Sequence, residues 1–229
     1  MSRKLVVAAL AALCAASLVG PAAADIVCPD SSYCTVTYRR TYPAGSQFVG
    51  QPYDYVTIAP DASGETFFNV NGTNEVDALA DIGIEVYVRN CQGNPLAGIP
   101  LQEVVLFNSQ LCICPGGNVS DAGTNLNGRA LFTGTMAAGG CVTSLDVYVD
   151  GVFICTLRSG GRNVKTNSPD YAHQGTSPCF SDAGDLAFLA TQLGRPAATR
   201  ICSDFNELGP NIDASDLAFF ASFLGASCQ

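Results

Sequence analysis

An acidic loop that leads into a short apolar helix occurs twice in the last part of the chain. Residues 182–194 read DAGDLAFLATQLG, and residues 213–225 read DASDLAFFASFLG. Each segment carries an apolar stripe at helical spacing, which is formed by Leu186, Leu189, Ala190 and Leu193 in the first and by Leu217, Phe220, Ala221 and Leu224 in the second. Helices this short do not persist alone in water. The repeat therefore predicts two helices, at about 182–193 and 213–224, that pack against each other.

Residues 1–24 have the composition of a secretory signal peptide. Arg3 and Lys4 provide a positive start, an apolar run covers 5–19, and Ala22, Ala23 and Ala24 form a small-residue cleavage site. The apolar run is too short for a membrane-spanning helix. We therefore expect an exported protein that is secreted, periplasmic or attached to the cell surface.

An even number of cysteines remains outside the signal peptide. They are Cys28, Cys34, Cys91, Cys112, Cys114, Cys141, Cys155, Cys179, Cys202 and Cys228. Such a set in an exported chain predicts disulfides. A zinc site is disfavoured because the chain has one histidine, His173, and no second closely spaced cysteine pair beside Cys112 and Cys114. Most of the connectivity is open, but Cys202 and Cys228 bracket the second repeat and are predicted to pair.

The charge and the motif content exclude several function classes. The formal net charge is −9, and an acidic surface repels nucleic acid and anionic lipid. The sequence has no Gly-x-Ser-x-Gly elbow and no glycine-rich phosphate loop. We therefore predict a protein that is not an enzyme. The paired carboxylates of a glycosidase leave no local signature, so they are the one catalytic arrangement left open.

Short β-type runs separated by turn residues fill the region from residue 33 to about 159. Residues 84–88 (IEVYV) and 145–149 (LDVYV) alternate apolar and polar side chains, as half-buried strands do. Asp150-Gly151 is a two-residue hairpin signal. Seven strands are predicted, over 33–39, 53–58, 84–88, 101–107, 129–133, 144–149 and 152–157. The pattern favours a mainly β fold of the β-sandwich type.

Three segments of this region resemble the bacterial immunoglobulin-like domains of the invasin type. They are 84–90 (IEVYVRN), 93–100 (GNPLAGIP) and 124–132 (TNLNGRALF). In that family a strand leads into a G-N-P-x-x-G turn, and a T-D-x-N-G-x-A-x-F stretch follows later. The resemblance implies an immunoglobulin-like β-sandwich, into which this chain inserts residues 112–117.

The sequence is thus divided into four parts. Residues 1–24 are the signal peptide, and 25–157 are the immunoglobulin-like β-sandwich with a cysteine-bearing N-terminal extension. The glycine-rich stretch 158–169 is interpreted as a linker. Residues 170–229 form a small module of two helical repeats.

The second loop of this module resembles the calcium loop of dockerin repeats, which are of the EF-hand type. That loop runs D-x-N-x-D-G-x-[IV]-[DN]-x-x-D and supplies oxygens to Ca²⁺ from alternate positions. The resemblance implies metal ligation by Asp204, Asn206, Asp213 and Asp216 in the second loop, and by Asp170, Asp182 and Asp185 in the first. The second loop is one residue longer than the family pattern and lacks its middle carboxylate, whereas the first is four residues longer.

The same aspartates have an interpretation that needs no metal. Asp182 and Asp185, like Asp213 and Asp216, are three residues apart at a predicted helix start. At this spacing an N-cap residue and the third helical residue accept hydrogen bonds from the free amides of the helix terminus. Calcium binding and helix capping both stay open.

The resemblances imply a function in protein docking. In dockerins the residues before the last loop aspartate and the following helix face contact a protein partner, and here these are Ala214, Ser215 and Phe220. The leading hypothesis is a secreted modular protein with an immunoglobulin-like display or binding domain and a calcium-dependent docking module. An adhesin or envelope-structural protein, in which the repeats are a disulfide-stapled cap, is the first alternative. Carbohydrate binding is the second, and its candidate platform is Tyr38, Tyr42, Tyr53 and Tyr55.

Overall fold

The computed structural model describes residues 26–38, 53–64, 82–159, 162–171, 179–197, 200, 202–205 and 210–229. The strands in chain order are β1 (Tyr33–Tyr38), β2 (Tyr53–Thr57), β3 (Ile82–Tyr87), β4 (Val104–Phe107), β5 (Cys112–Ile113), β6 (Arg129–Phe132), β7 (Ala138–Gly139), β8 (Asp146–Val149), β9 (Val152–Thr156), β10 (Arg158–Ser159) and β11 (Arg162–Asn167). The helices are α1 (Ala183–Gln192) and α2 (Ala214–Ala221).

The described strands form four small sheets. In the three-stranded sheets, β3 lies between β1 and β6, β8 between β4 and β9, and β11 between β10 and β2, while β5 pairs with β7 alone. The pairing of β11 with β2 is parallel, and the other strand pairs are antiparallel. The mainly β fold class is confirmed. The immunoglobulin-like sandwich stays a prediction.

Each of the seven predicted strands corresponds to a strand of the structure. The largest difference is at 101–107, where a 3-10 turn (Leu101–Glu103) precedes β4. Pro100 starts this turn, and its carbonyl accepts a hydrogen bond from the Glu103 amide at 3.0 Å. The predicted hairpin is confirmed: Asp150 and Gly151 have φ angles of 51° and 73° between β8 and β9, the left-handed values that a type I′ turn needs.

One glycine joins two of the segments that carry the immunoglobulin-like resemblance. Gly128 has a φ of 69°, and a Cβ atom there would overlap the carbonyl oxygen of Val88. The Val88 amide donates a hydrogen bond to the Gly128 carbonyl at 2.8 Å. The turn of the 124–132 segment therefore packs directly on the end of the 84–90 segment, and only glycine permits this close approach.

A single apolar core is shared by the three larger sheets. Its fully buried members include Val56, Ile84, Leu106, Val147 and Val164, which come from β2, β3, β4, β8 and β11. The alternation that predicts the strands is the reason, because every second side chain of a strand points to the same face.

The segment interpreted as a linker, 158–169, is largely strand, so that interpretation is corrected. β10 and β11 occupy Arg158–Ser159 and Arg162–Asn167, and β11 pairs with β2 over its length. Residues 164–168 are buried, although four of them are polar by type. The polar composition predicted a loop, but the backbone amides and carbonyls of this segment are hydrogen-bonded in a strand inside the molecule.

Five disulfides use all ten cysteines of the predicted set. They are Cys28–Cys91, Cys34–Cys155, Cys112–Cys179, Cys114–Cys228 and Cys141–Cys202. The predicted pairing of Cys202 with Cys228 is wrong. Both cysteines bond instead to cysteines of the strand region, which is the part of the chain that contains β1 to β11, and the repeats lie against this region. Five disulfides fit a protein of an oxidising compartment.

Lys165 on β11 gives a pH dependence that can be tested. The side chain is 1 % exposed, and burial lowers its pKa to about 7 from 10.5. Between these values the unfolded chain holds a proton that the folded chain has released, so stability rises with pH in this window. We expect the free energy of unfolding to increase by about 2 kcal/mol from pH 7 to pH 9 in urea titrations.

The control for this effect is Lys165→Met. Lys165 is the only lysine outside the signal segment, and methionine keeps a similar volume without the charge. This variant should lose the rise in stability between pH 7 and pH 9. Equal pH slopes in the two proteins would show that Lys165 does not cause the dependence.

Candidate functional site

Both helices begin with the same arrangement of two aspartates. Asp182 is the N-cap of α1 and accepts a hydrogen bond from the Gly184 amide at 2.6 Å, while the Asp185 carboxylate accepts one from the Asp182 amide at 2.9 Å. Asp213 and Asp216 repeat this at α2, where the Asp213 amide donates to Asp216 at 2.9 Å. Both helix starts are capping boxes with aspartate at the third position.

Asp185 and Asp216, the inner aspartates of the two repeats, each use their second carboxylate oxygen to hold the beginning of the acidic loop. Asp185 Oδ1 accepts a hydrogen bond from the Tyr171 amide at 2.7 Å, and Asp216 Oδ1 accepts one from the Phe205 amide at 2.8 Å. Asp185 is 1 % exposed and Asp216 is fully buried. Each carboxylate therefore ties the first residues of its loop to the first turn of its helix.

The aspartates that precede these amides are also buried, at the contact with the strand region. Asp170 and Asp204 are 3 % and 1 % exposed. The Asp170 carbonyl accepts a hydrogen bond from the Gly140 amide at 3.0 Å, and a Cβ atom on Gly139 of β7 would overlap the Asp170 carboxylate. The Asp204 carbonyl accepts one from Asn167 Nδ2 at 3.1 Å. The two loops thus begin against β7 and the end of β11.

The predicted calcium ligands are partly brought together. In each repeat the first and last loop aspartates are both buried, whereas Asp213 is exposed and accepts a hydrogen bond from the Ser215 amide at 2.7 Å. Asn206 lies outside the described residues. Among the described histidines, cysteines and acids, one group of three has ligand atoms within 4.8 Å of one another, and it consists of Cys114, Cys179 and Cys228, whose sulfurs are in disulfides. The capping interpretation describes the contacts that the aspartates make, and calcium binding stays a prediction.

The surroundings of Asp213 and Tyr171 shift the pKa values of both side chains. Hydrogen bonds from the Ser215 hydroxyl and amide lower the pKa of Asp213, so this cap stays charged at neutral pH. Burial raises the pKa of Tyr171, and the negative charges of Asp216 and Asp185 raise it further. Tyr171 is therefore a neutral phenol at neutral pH, and the carboxylates of both repeats act on it.

A second apolar core joins the two repeats. It consists of Leu189, Ala197, Phe205, Ile212 and Phe220, with Tyr171, Leu186, Leu217 and Phe219 at its margin. The Tyr171 ring lies parallel to that of Phe220 at a centroid distance of 6.1 Å and contacts Phe188 at 4.8 Å. The prediction that the helices pack together is confirmed.

The predicted apolar stripe is only partly the buried face. Leu193 and Leu224 are 40 % and 49 % exposed, and Ala190 and Ala221 are exposed too. The residues that α1 buries are Asp185, Leu189 and Gln192. The inner aspartates must point inward to bond the loop amides, and this turns the helices relative to the stripe.

One predicted partner contact is wrong. Phe220 is fully buried in the core of the repeats, so its ring has no surface to offer. Ala214 and Ser215 are exposed, as the docking hypothesis requires. The signal segment, His173 and Tyr42 lie outside the described residues, as do the side chains of Tyr38, Tyr53 and Tyr55.

The sequence interpretation missed the three disulfides that cross between the repeats and the strand region. A signal for at least one of them was present, because residues 170–229 contain three cysteines, Cys179, Cys202 and Cys228. An odd number cannot pair completely within the module. The structure joins them to Cys112, Cys141 and Cys114, respectively.

A scan of protein-family models, a search of curated proteins and a search of solved structures gave no match. No helix in the described part of the chain has the length and apolar character to cross a membrane. What the fold defines is a mainly β protein with two capped helices and five disulfides.

Proposed function

We propose that this chain is an exported, non-enzymatic adhesion or envelope-structural protein, and that its C-terminal repeats are a cap stapled onto the strand region. The observation that carries this proposal is the set of three disulfides, Cys112–Cys179, Cys114–Cys228 and Cys141–Cys202. Each one joins a cysteine of the repeats to a cysteine of the strand region.

The contacts of the loops support a role that needs no metal. In the dockerin pattern the ion draws the ends of the loop together, and here Asp185 and Asp216 do so by accepting amide hydrogen bonds from both ends. Three covalent links add to this, and the preceding segment is the buried strand β11. A docking module that must reach a separate protein is better served by a free linker.

Calcium-dependent docking remains a second candidate because of the buried acids. Asp204 and Asp216 occupy the first and last positions of the second loop, and both are at most 1 % exposed. Two buried carboxylates at one loop favour a cation of two charges, which oxygen ligands would bind.

Calcium titration of the full oxidised chain distinguishes the two candidates. For the stapled cap, we expect neither heat of binding nor a change in melting temperature when Ca²⁺ replaces EDTA. A specific ion present at a hundredfold excess over its Kd would add about 2.7 kcal/mol to stability. Asp204→Asn should abolish such an effect. Asp30→Asn is the charge-matched control, because Asp30 is exposed and lies before β1, far from the repeats in the sequence. Stabilisation that disappears only in Asp204→Asn would overturn the metal-free cap.

The adhesive role is tested by retention on insoluble material. The oxidised chain is incubated with whole cells and with envelope polysaccharide in EDTA or in Ca²⁺, and we expect equal retention in both. Retention only in Ca²⁺ would favour docking. Release of soluble sugar from the polysaccharide would contradict the non-enzymatic assignment.

A further inference from the structure

Four sulfur atoms meet where the repeats contact β5. Cys112 lies in β5 and bonds to Cys179, and Cys114 follows β5 and bonds to Cys228. The sulfurs of Cys114, Cys179 and Cys228 lie within 4.8 Å of one another. We propose that these four cysteines form a thiol–disulfide latch. One molecule of an external dithiol reduces one of the two disulfides, the other disulfide is exchanged for Cys179–Cys228, and both links to β5 are released together. This proposal rests on the disulfide pairing and holds for either function considered above.

The alternative pair is already held in place by the backbone. Residues 179–181 and 225–228 run antiparallel, with Phe180 bridged to Ser227. The Cys228 amide donates to the Cys179 carbonyl at 3.3 Å, and the Ser181 amide donates to the Ala226 carbonyl at 2.8 Å. Cys179 and Cys228 are thus opposite each other on a ladder that does not involve β5, at a separation typical of cross-strand neighbours.

The exchange balances in two steps. The dithiol reduces Cys114–Cys228, supplying two electrons and two protons, and becomes a disulfide itself. The Cys228 thiolate then attacks Cys179 Sγ, so that the Cys179–Cys228 bond forms while the Cys112–Cys179 bond breaks. The electron pair leaves on Cys112 Sγ, which takes the proton that Cys228 gave up. One dithiol is consumed, and the protein gains two thiols, on Cys112 and Cys114, while it keeps one disulfide.

Two of the four cysteines are open to an external thiol. Cys112 and Cys228 are partly exposed, whereas Cys114 and Cys179 are 3 % and 2 % exposed, so the thiol can open either disulfide. Opening of Cys112–Cys179 leads to the same product, because the Cys179 thiolate then attacks Cys228 Sγ and Cys114 leaves. The Cys179 amide donates to Cys112 Sγ at 3.1 Å, which stabilises Cys112 as the leaving thiolate.

Cys114 is held back from competing with Cys228. Its Sγ lies 3.0 Å from the Pro60 carbonyl oxygen, an acceptor for the thiol once it is reduced. Since a hydrogen bond from the thiol favours the protonated form, Cys228 is the thiolate that attacks. After the exchange, Cys141–Cys202 is the one cross-link of the three that still joins the repeats to the strand region.

Limited reduction of the wild-type chain tests the latch. The oxidised protein is treated with substoichiometric dithiothreitol, quenched with acid and alkylated, and digested before aspartates, which places Cys179 on peptide 170–181 and Cys228 on peptide 216–229. In chains with two of the four sulfurs alkylated, we expect label on Cys112 and Cys114 and a disulfide between the two peptides. Label on Cys114 and Cys228, or on Cys112 and Cys179, with the other native disulfide kept, would overturn the proposal.

A variant tests the exchange without a reductant. Cys112→Ser leaves Cys179 without its native partner, so the oxidised variant should contain Cys179–Cys228 and a free thiol on Cys114. A retained Cys114–Cys228 bond with a free Cys179 would contradict the latch. Cys34→Ser is the control, and there Cys155 should carry the free thiol while the other four disulfides stay native. The wild-type measurement decides the question if Cys112→Ser does not fold.

Discussion

Asp216→Ala should lower the free energy of unfolding of the oxidised chain by about 3–5 kcal/mol, in EDTA as well as in Ca²⁺. The carboxylate is fully buried and accepts hydrogen bonds from the Phe205 and Asp213 amides. Its removal leaves two amide donors without an acceptor and opens a small cavity beside the core of the repeats. Urea titration followed by the amide signal in circular dichroism measures the loss.

The control is the neighbouring cap residue. Asp213 is exposed, and its main acceptor role is the hydrogen bond from the Ser215 amide, so Asp213→Ala should cost about 1 kcal/mol. Asp185→Ala should resemble Asp216→Ala, because Asp185 makes the equivalent contacts in the first repeat. Equal losses in Asp213→Ala and Asp216→Ala would refute the loop-closing role. A loss seen only when Ca²⁺ is present would identify Asp216 as a metal ligand instead.

Removal of one cross-link should loosen the repeats selectively. The double variant Cys141→Ser/Cys202→Ser opens a disulfide that spans 61 residues, and we expect a stability loss of about 3–4 kcal/mol. The disulfide restricts the unfolded chain and also holds the second loop against the strand region. Hydrogen exchange of the amides in α1 and α2 should therefore become faster in the native state.

A second disulfide of nearly equal span gives the matched control. Cys28–Cys91 spans 63 residues but lies entirely within the strand region. Cys28→Ser/Cys91→Ser should cost a similar amount of stability, because loop length sets the entropic part. Exchange in the two helices should stay as in the wild type. The same exchange rates in both double variants would show that Cys141–Cys202 does not anchor the repeats.

Local patterns predicted the elements well. The alternation in 84–88 and 145–149 marks β3 and β8, and Asp150-Gly151 marks the hairpin turn between β8 and β9, because these signals act between neighbouring residues. Gly194 directly follows Leu193, the C-cap of α1, and has the left-handed φ angle of 76° that glycine favours there. Gly225 also has a positive φ, of 93°, but it lies three residues beyond Ser222, the C-cap of α2. The predicted cap pairs are present for the same reason.

Local sequence patterns did not predict the features that depend on long-range contacts. The polar strand β11 has no apolar period, and its place is set by parallel pairing with β2, about a hundred residues earlier in the chain. The buried face of α1 is set by Asp185, which reaches the Tyr171 amide across the loop. A stripe read from hydrophobicity alone places Leu193 inside, whereas the structure leaves it 40 % exposed.

The sequence by itself determined the mainly β class, the two capped helices and the presence of disulfides, because each depends on residues close together or on composition. Only the tertiary structure decided which cysteines pair, which helix face is buried and that 162–167 is a strand inside the fold. These depend on which distant surfaces meet. The disulfides of Cys179, Cys202 and Cys228 join the repeats, which the sequence presents as a separate module, covalently to the strand region.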